Sequence, residues 1–106
     1  MSMARVIARW VDDSKESPLA VDVAIEDLRI VGPSLAFGCI DWDGARRPFV
    51  LDEAGQIDFA CGPDRFWRTD LRETLMKVGE TFRIFWGQGD EGFYRIVKIA
   101  VPGSKA

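Results

Sequence analysis

The chain has 106 residues, of which 47% are hydrophobic and 29% are charged, a balance typical of a single globular domain. Its formal net charge is -3, with no long run of like charges, which argues against a general nucleic-acid binder. The chain contains no histidine, so it cannot form a Ser-His-Asp triad, a Cys-His pair or a histidine-ligated metal site.

Alternation of apolar and polar residues predicts β-strands up to residue 60. In the first of them, Val6, Ala8 and Trp10 share one face. A second strand follows the polar turn that ends at Pro18, and its alternation changes phase near Glu26, which predicts a bulge or bend. Turn residues separate three further predicted strands, at 35–42, 48–51 and 56–60.

The hydrophobic period changes after Pro63. An amphipathic α-helix is predicted over residues 64–78, with Gly79 at its end. This prediction depends on one set of residues at helical spacing: Trp67, Leu71, Thr74, Leu75 and Val78.

Strands resume after the predicted helix, at residues 81–86 and 93–101, and residues 102–106 resemble a loose tail. Residues 1–106 are therefore predicted to form a single α+β domain. Its expected core is a strongly bent antiparallel sheet or a small open β-barrel of five to seven strands. One α-helix is inserted before the C-terminal hairpin.

Gly87, Gly89 and Gly92 form the spacing G-x-G-x-x-G, which occurs in dinucleotide-binding proteins. That motif requires a helix after the glycines, so that the helix N-terminus faces the pyrophosphate. Here the following residues predict a strand, and the loop carries two acidic residues. The glycines are therefore predicted to form a hairpin turn.

The aromatic residues are more numerous than a small core needs, and the last two predicted strands are apolar on both faces. This pattern favours a non-enzymatic protein that acts by protein–protein contact, as a homodimer or with another protein. The candidate interface residues are Trp42, Phe85, Trp86 and Tyr94.

A second hypothesis is a small-molecule pocket, for binding alone or for catalysis, in a bent sheet lined by aromatic residues. Its candidate polar residues are Asp41, Asp43, Arg46 and Arg47. A third and weaker hypothesis is binding of a nucleotide or nucleic acid by arginines and stacked aromatic rings. No catalytic residue, metal ligand or cofactor is assigned. The chain has no histidine, and the two aspartates do not fit the pattern of a calcium-binding loop.

The predicted location is the cytoplasm. No secretory signal is visible, and no apolar run is long enough to span a membrane. The two cysteines are accordingly expected to be reduced thiols.

Overall fold

The protein is described by a computed structural model over residues 2–15, 17–42, 44–60, 62, 65–86 and 89–101. Strands dominate this part of the chain, and its helical structure is a single 3₁₀ turn at Leu71–Glu73. The strands are β1 Ser2–Trp10, β2 Leu19–Glu26, β3 Arg29–Gly32, β4 Ala36–Trp42, β5 Ala45–Leu51, β6 Gln56–Asp58, β7 Phe66–Thr69, β8 Thr81–Phe85 and β9 Glu91–Ala100.

All strand pairs are antiparallel, and the sheet closes into a barrel because β1 pairs with both β2 and β9. The order around the barrel is β1-β9-β8-β7-β6-β5-β4-β2. The remaining strand, β3, shares one edge of β2 with β4, since Leu19 pairs with Ile40 of β4 and Ile25 pairs with Ile30 of β3. The barrel therefore has eight strand positions, one of which is divided between β3 and β4.

Side chains fill the barrel because the strands alternate between inward apolar and outward polar residues. Eight strands enclose a space that side chains can fill or that holds one small ligand. The fully buried interior residues include Val6, Val21, Val23, Ile40, Leu51, Ile57, Ile84, Tyr94 and Ile96.

The two ends of the barrel are closed in different ways. At one end, which we call the tryptophan end, β1, β4, β6 and β8 finish, and aromatic rings cover the interior. At the other end, which we call the plug end, residues 70–80 place Leu71 and Met76 in the core. Arg72 holds this segment in place by donating hydrogen bonds to backbone carbonyls of two other loops, those of Asp52 (2.7 Å), Pro33 (2.8 Å), Leu51 (3.0 Å) and Ser34 (3.3 Å).

The predicted α-helix over 64–78 is wrong. Its beginning lies partly outside the described residues, and residues 66–69 form β7, which pairs with β6 and β8. Thr69 donates its hydroxyl to the Arg83 carbonyl (2.7 Å), and the Asp70 carboxylate accepts the Arg83 backbone N–H (2.7 Å). Both side chains thus bond to β8, and such bonds compete with helix formation.

The α+β class predicted from that helix is also wrong, because the protein is an all-β barrel with a closed sheet of eight strand positions. The predicted change of phase near Glu26 is confirmed in part. A bulge lies close to the predicted place, since the register shifts between Ala24 and Ile25. The predicted second strand does not continue beyond Glu26, however, because a tight turn with positive φ at Asp27 and Leu28 reverses the chain into β3. The described residues contain no helix that is long and apolar enough to cross a membrane.

Candidate functional site

All four tryptophans of the chain gather at the tryptophan end. The ring centroid of Trp67 lies 5.4 Å from that of Trp42 and 6.0 Å from that of Trp86. The Trp86 ring also lies 5.6 Å from Trp42 and 6.4 Å from Trp10. Most of these pairs meet edge to face, the geometry that the quadrupoles of aromatic rings favour.

Strand positions explain why the rings meet. Trp10 and Trp42 are the last residues of β1 and β4, and Trp86 follows β8 directly. These strands end at the same end of the barrel, and all three tryptophans occupy inward positions. Gly92 on β9 leaves the space for the Trp86 ring, since a side chain at this position would overlap it.

One cation joins the aromatic cluster. Arg47 occupies an inward position of β5, directly opposite the buried Ile40 on β4. Its guanidinium carbon lies 3.9 Å from the ring centroid of Phe59 and 5.6 Å from that of Trp67. This is cation–π geometry, which stabilises a guanidinium that is partly withdrawn from water.

Two indole N–H groups in this cluster have no acceptor among the described residues. They are the Nε1 atoms of Trp10 and Trp86, and both atoms are buried. An unsatisfied buried donor costs about 1–3 kcal/mol. The tryptophan end therefore contains two buried donors that are not satisfied by any described residue.

A second candidate surface lies on the outside of β7, β8 and β9, and we call it the hairpin face. One row of it runs across three neighbouring strands, because Arg68 pairs with Phe85 and Phe85 pairs with Glu91. Phe93 is 48% exposed beside this row, directly opposite Arg83. Arg83 contacts Asp70 (Nε to Oδ2, 3.1 Å), so its charge is balanced within the chain.

The predicted interface residues lie in three different places. Trp42 and Trp86 contact each other in the aromatic cluster, and Phe85 lies on the hairpin face. Tyr94 is 0% exposed inside the barrel and stacks on Phe82. Burial raises the pKa of Tyr94 to about 12.

The predicted polar residues do not form one pocket in the described part of the chain. Asp41 and Arg46 form an ion pair on the outside of the barrel (Oδ1 to Nε, 3.3 Å). Arg47 lies on the opposite face of the same strand, within the aromatic cluster. Asp43 lies outside the described residues.

Sequence reasoning missed Trp10, Phe59 and Trp67 as members of the cluster. The position of Trp10 before a turn was a usable signal, since it matches the positions of Trp42 and Trp86. Trp67 was hidden by its assignment to a helix. Sequence reasoning also did not place Arg68 and Glu91 beside Phe85. Their position in one row depends on cross-strand pairing, which the sequence does not display.

Within the described residues, no group of three or more Cys, Asp and Glu side chains has the geometry to hold a metal ion. Comparison of the chain with protein-family models, with curated proteins and with solved structures found no match. The function therefore has to be inferred from the two candidate surfaces themselves.

Proposed function

We propose that this protein is a non-enzymatic interaction protein that forms a homodimer through the hairpin face. One observation carries the proposal: the row Arg68, Phe85, Glu91 places a cation, an aromatic ring and an anion on adjacent strands at one height. Such a row is complementary to a second copy of itself.

The complementarity follows from symmetry. Most homodimers have a two-fold axis, and the same patch on both copies then forms the contact. A two-fold axis that runs along β8 between two facing barrels places β7 of one copy opposite β9 of the other. Arg68 of each copy then faces Glu91 of its partner, and the two Phe85 rings meet at the axis.

The charges of this row are available for such a contact. Arg68 is exposed and makes no ion pair with any other described residue. Among the described residues, the ion-pair contact of Glu91 is a long one with Arg83 (Oε2 to Nη1, 3.9 Å). Two intermolecular pairs per dimer would use both groups, and such pairs specify register and partner more than they add affinity.

The surroundings of the row supply apolar area. Phe93, Phe66 and Val97 are 48%, 47% and 40% exposed on the same strands and their ends. A standard interface buries about 800 Å² on each partner. That is about an eighth of the 6606 Å² accessible surface of this chain, which one side of a barrel provides.

A charge-reversal series tests the proposal by the solution mass, measured by light scattering after size exclusion over a wide concentration range. The unaltered protein is expected to be a dimer. Arg68→Glu and Glu91→Arg should each give monomers, because each places like charges opposite one another. The double variant should be a dimer again, since the pairing is restored with its signs exchanged.

Arg46→Glu is the matched control, because it makes the same charge change on the outside of β5. This variant should remain a dimer. A monomeric unaltered protein would contradict the proposal. A dimer that is insensitive to Arg68→Glu would place the contact on another surface, and a double variant that stays monomeric would reject the two-fold axis along β8.

We place this protein in the cytoplasm as part of the same proposal. Cys39 is a free thiol on β4 and is partly exposed. Free thiols of this kind persist in reducing compartments.

A further inference from the structure

We infer that Arg9 and Arg95, with Lys98 beside them, form a surface site for a phosphate group of the kind that a phosphomonoester carries. The site lies on the outside of β1 and β9. It does not depend on the proposed dimer, because its residues belong to other rows of the barrel than the one that carries the dimer contact.

Two arginines face each other across the sheet at this site. Arg9 of β1 lies directly opposite Arg95 of β9, and both residues are exposed. The Cβ atoms of directly opposite residues are about 5 Å apart on the same face of a sheet, so the two guanidinium groups can reach one anion together. Like charges in this arrangement destabilise a sheet. The barrel therefore carries two cations at a place where an acidic partner would be more stable.

The other charged pairs of the barrel follow the opposite rule. Among the described pairings, every other pair of directly opposite charged residues joins an acid to an arginine. These pairs are Arg5–Asp22, Glu26–Arg29 and Asp41–Arg46. The pair Arg9–Arg95 is thus the exception in a sheet that otherwise matches its charges.

The described part of the chain does not neutralise the two arginines. Arg95 forms no ion pair with any described residue, and neither does Arg9. Arg9 donates from Nη1 to the Ser14 carbonyl (3.0 Å), an uncharged acceptor that fixes the guanidinium and leaves its other N–H groups for a ligand. In the same loop, the Asp13 carboxylate accepts the backbone N–H of Lys15 (3.0 Å).

A bulge adds a third cation. Ile7 pairs with Lys98 and Ala8 pairs with Ile96, so Val97 is an extra residue in β9. Because a bulge redirects the side chains beside it, Val97 and Lys98 are both exposed. Lys98 therefore lies next to Ile7, which precedes Arg9 by two positions on the same face of β1.

The chemistry of these side chains defines the ligand class. A guanidinium presents its N–H groups as a fork that fits phosphate oxygens, and such charge-assisted hydrogen bonds are strong. Two forks and one ammonium supply more positive charge than a singly charged anion neutralises. A phosphomonoester carries about 1.5 to 2 negative charges near neutral pH, so it fits the site better than a phosphodiester, which carries one.

Nuclear magnetic resonance of the arginine Nε–H groups tests the site at neutral pH. The probes are methyl phosphate, inorganic phosphate and dimethyl phosphate, with the ionic strength held constant by sodium chloride. Methyl phosphate and inorganic phosphate should shift the Arg9 and Arg95 signals until the site is saturated. Dimethyl phosphate, which represents the diesters of nucleic acids and phospholipids, should bind about tenfold more weakly, since one charge-assisted contact is lost.

Single variants assign the effect to the two arginines. Arg9→Gln and Arg95→Gln should each weaken methyl phosphate binding about tenfold. Arg46→Gln is the matched control, because Arg46 is an exposed arginine that already faces a carboxylate; it should change the affinity less than about twofold. Lys98→Gln should weaken binding less than either loss of an arginine, because an ammonium group lacks the fork.

Thermal unfolding gives a second readout, since a ligand that binds the folded state raises the unfolding temperature. Methyl phosphate should raise it more for the unaltered protein than for Arg95→Gln at the same ionic strength. Four results would overturn the inference: no saturable shift of the Arg9 and Arg95 signals, equal affinities for methyl phosphate and dimethyl phosphate, equal losses in Arg95→Gln and Arg46→Gln, or equal thermal stabilisation of the unaltered protein and Arg95→Gln.

Discussion

Gly92→Ala should destabilise the barrel through one identified contact. A Cβ atom at Gly92 would overlap Cη2 of Trp86 and would lie 3.0 Å from Cζ3 and 3.1 Å from Cζ2 of the same ring. Carbon atoms in good contact are about 3.5–4.0 Å apart, so the indole ring has to move. Its movement disturbs the ring contacts of Trp86 with Trp10, Trp42 and Trp67.

The loss of unfolding free energy in Gly92→Ala can be estimated from these contacts. Insertion of a methyl group into a packed core costs about 1–3 kcal/mol, and each aromatic pair contributes about 0.5–1.5 kcal/mol. The change from glycine to alanine also stabilises a strand by about 0.4–1 kcal/mol, because it restricts the unfolded chain. The expected net loss of unfolding free energy is therefore about 2 kcal/mol.

A double-mutant cycle isolates this contact. In the Trp86→Leu background the indole atoms are absent, so Gly92→Ala should be neutral or should stabilise the protein by about 0.5 kcal/mol. Unfolding free energies would be measured from urea curves at one fixed protein concentration, since dimerisation makes stability depend on concentration. An equal cost of Gly92→Ala in both backgrounds would refute the packing of Trp86 against Gly92.

Three further predictions concern the core, the plug end and the alkaline limit of stability. Gly38→Ala should lower the free energy of unfolding by more than about 3 kcal/mol or prevent folding. Its Cβ would lie 2.6 Å from both the Ala20 carbonyl oxygen and the Phe49 ring, and the backbone oxygen cannot move aside. Urea curves measure this loss, and a loss below about 1 kcal/mol would contradict the prediction. Arg72→Met should lower the free energy of unfolding by about 3 kcal/mol in the same assay, because four hydrogen bonds from a charged donor to backbone carbonyls are lost. The control, Arg46→Met, should change it by less than about 0.5 kcal/mol. Stability should fall as the pH rises from 10.0, the ordinary pKa of tyrosine, towards about 12, because burial raises the pKa of Tyr94 in the folded state and the unfolded chain releases this proton first. Tyr94 is the only tyrosine of the chain, so tyrosinate absorbance follows it directly, and a Tyr94→Phe variant with the same alkaline loss of stability would contradict this assignment.

Much of the local structure follows from alternation alone. The inward set Val6, Ala8 and Trp10 is the set expected from the sequence, because a half-buried strand repeats every two residues. A strand and not a helix follows the glycine-rich loop, as predicted, since β8 pairs with β9. Gly92 lies within β9, and Gly87 lies outside the described residues. Gly89 has a positive φ of 86° in the turn, and β9 begins two residues later, at Glu91.

The prediction of a helix over 64–78 was wrong for a reason that local sequence patterns do not reveal. Its apparent apolar stripe combines Trp67 on a strand, Leu71 in a 3₁₀ turn and Val78 on the surface, three environments that coincide with helical spacing. Long-range bonds from Thr69 and Asp70 to Arg83 decide between the alternatives. Such bonds join residues 13 and 14 positions apart, beyond the range of a helical or strand period.

Closure of the sheet is what brings the functional candidates together, and it explains why the sequence separated them. Trp10, Trp42 and Trp86 each end a strand or follow it directly, so in an open sheet they would lie along an edge, many strands apart. In a closed antiparallel barrel, alternate strands end at the same end. The three tryptophans therefore lie around one opening, and their inward positions place the rings over it. Alternation along β8 turns Phe85 outward while its neighbour Trp86 turns inward. Two adjacent residues that the sequence assigned to one interface therefore belong to two surfaces. The charge-reversal series tests the hairpin face, and the double-mutant cycle at Gly92 and Trp86 tests the packing of the aromatic cluster.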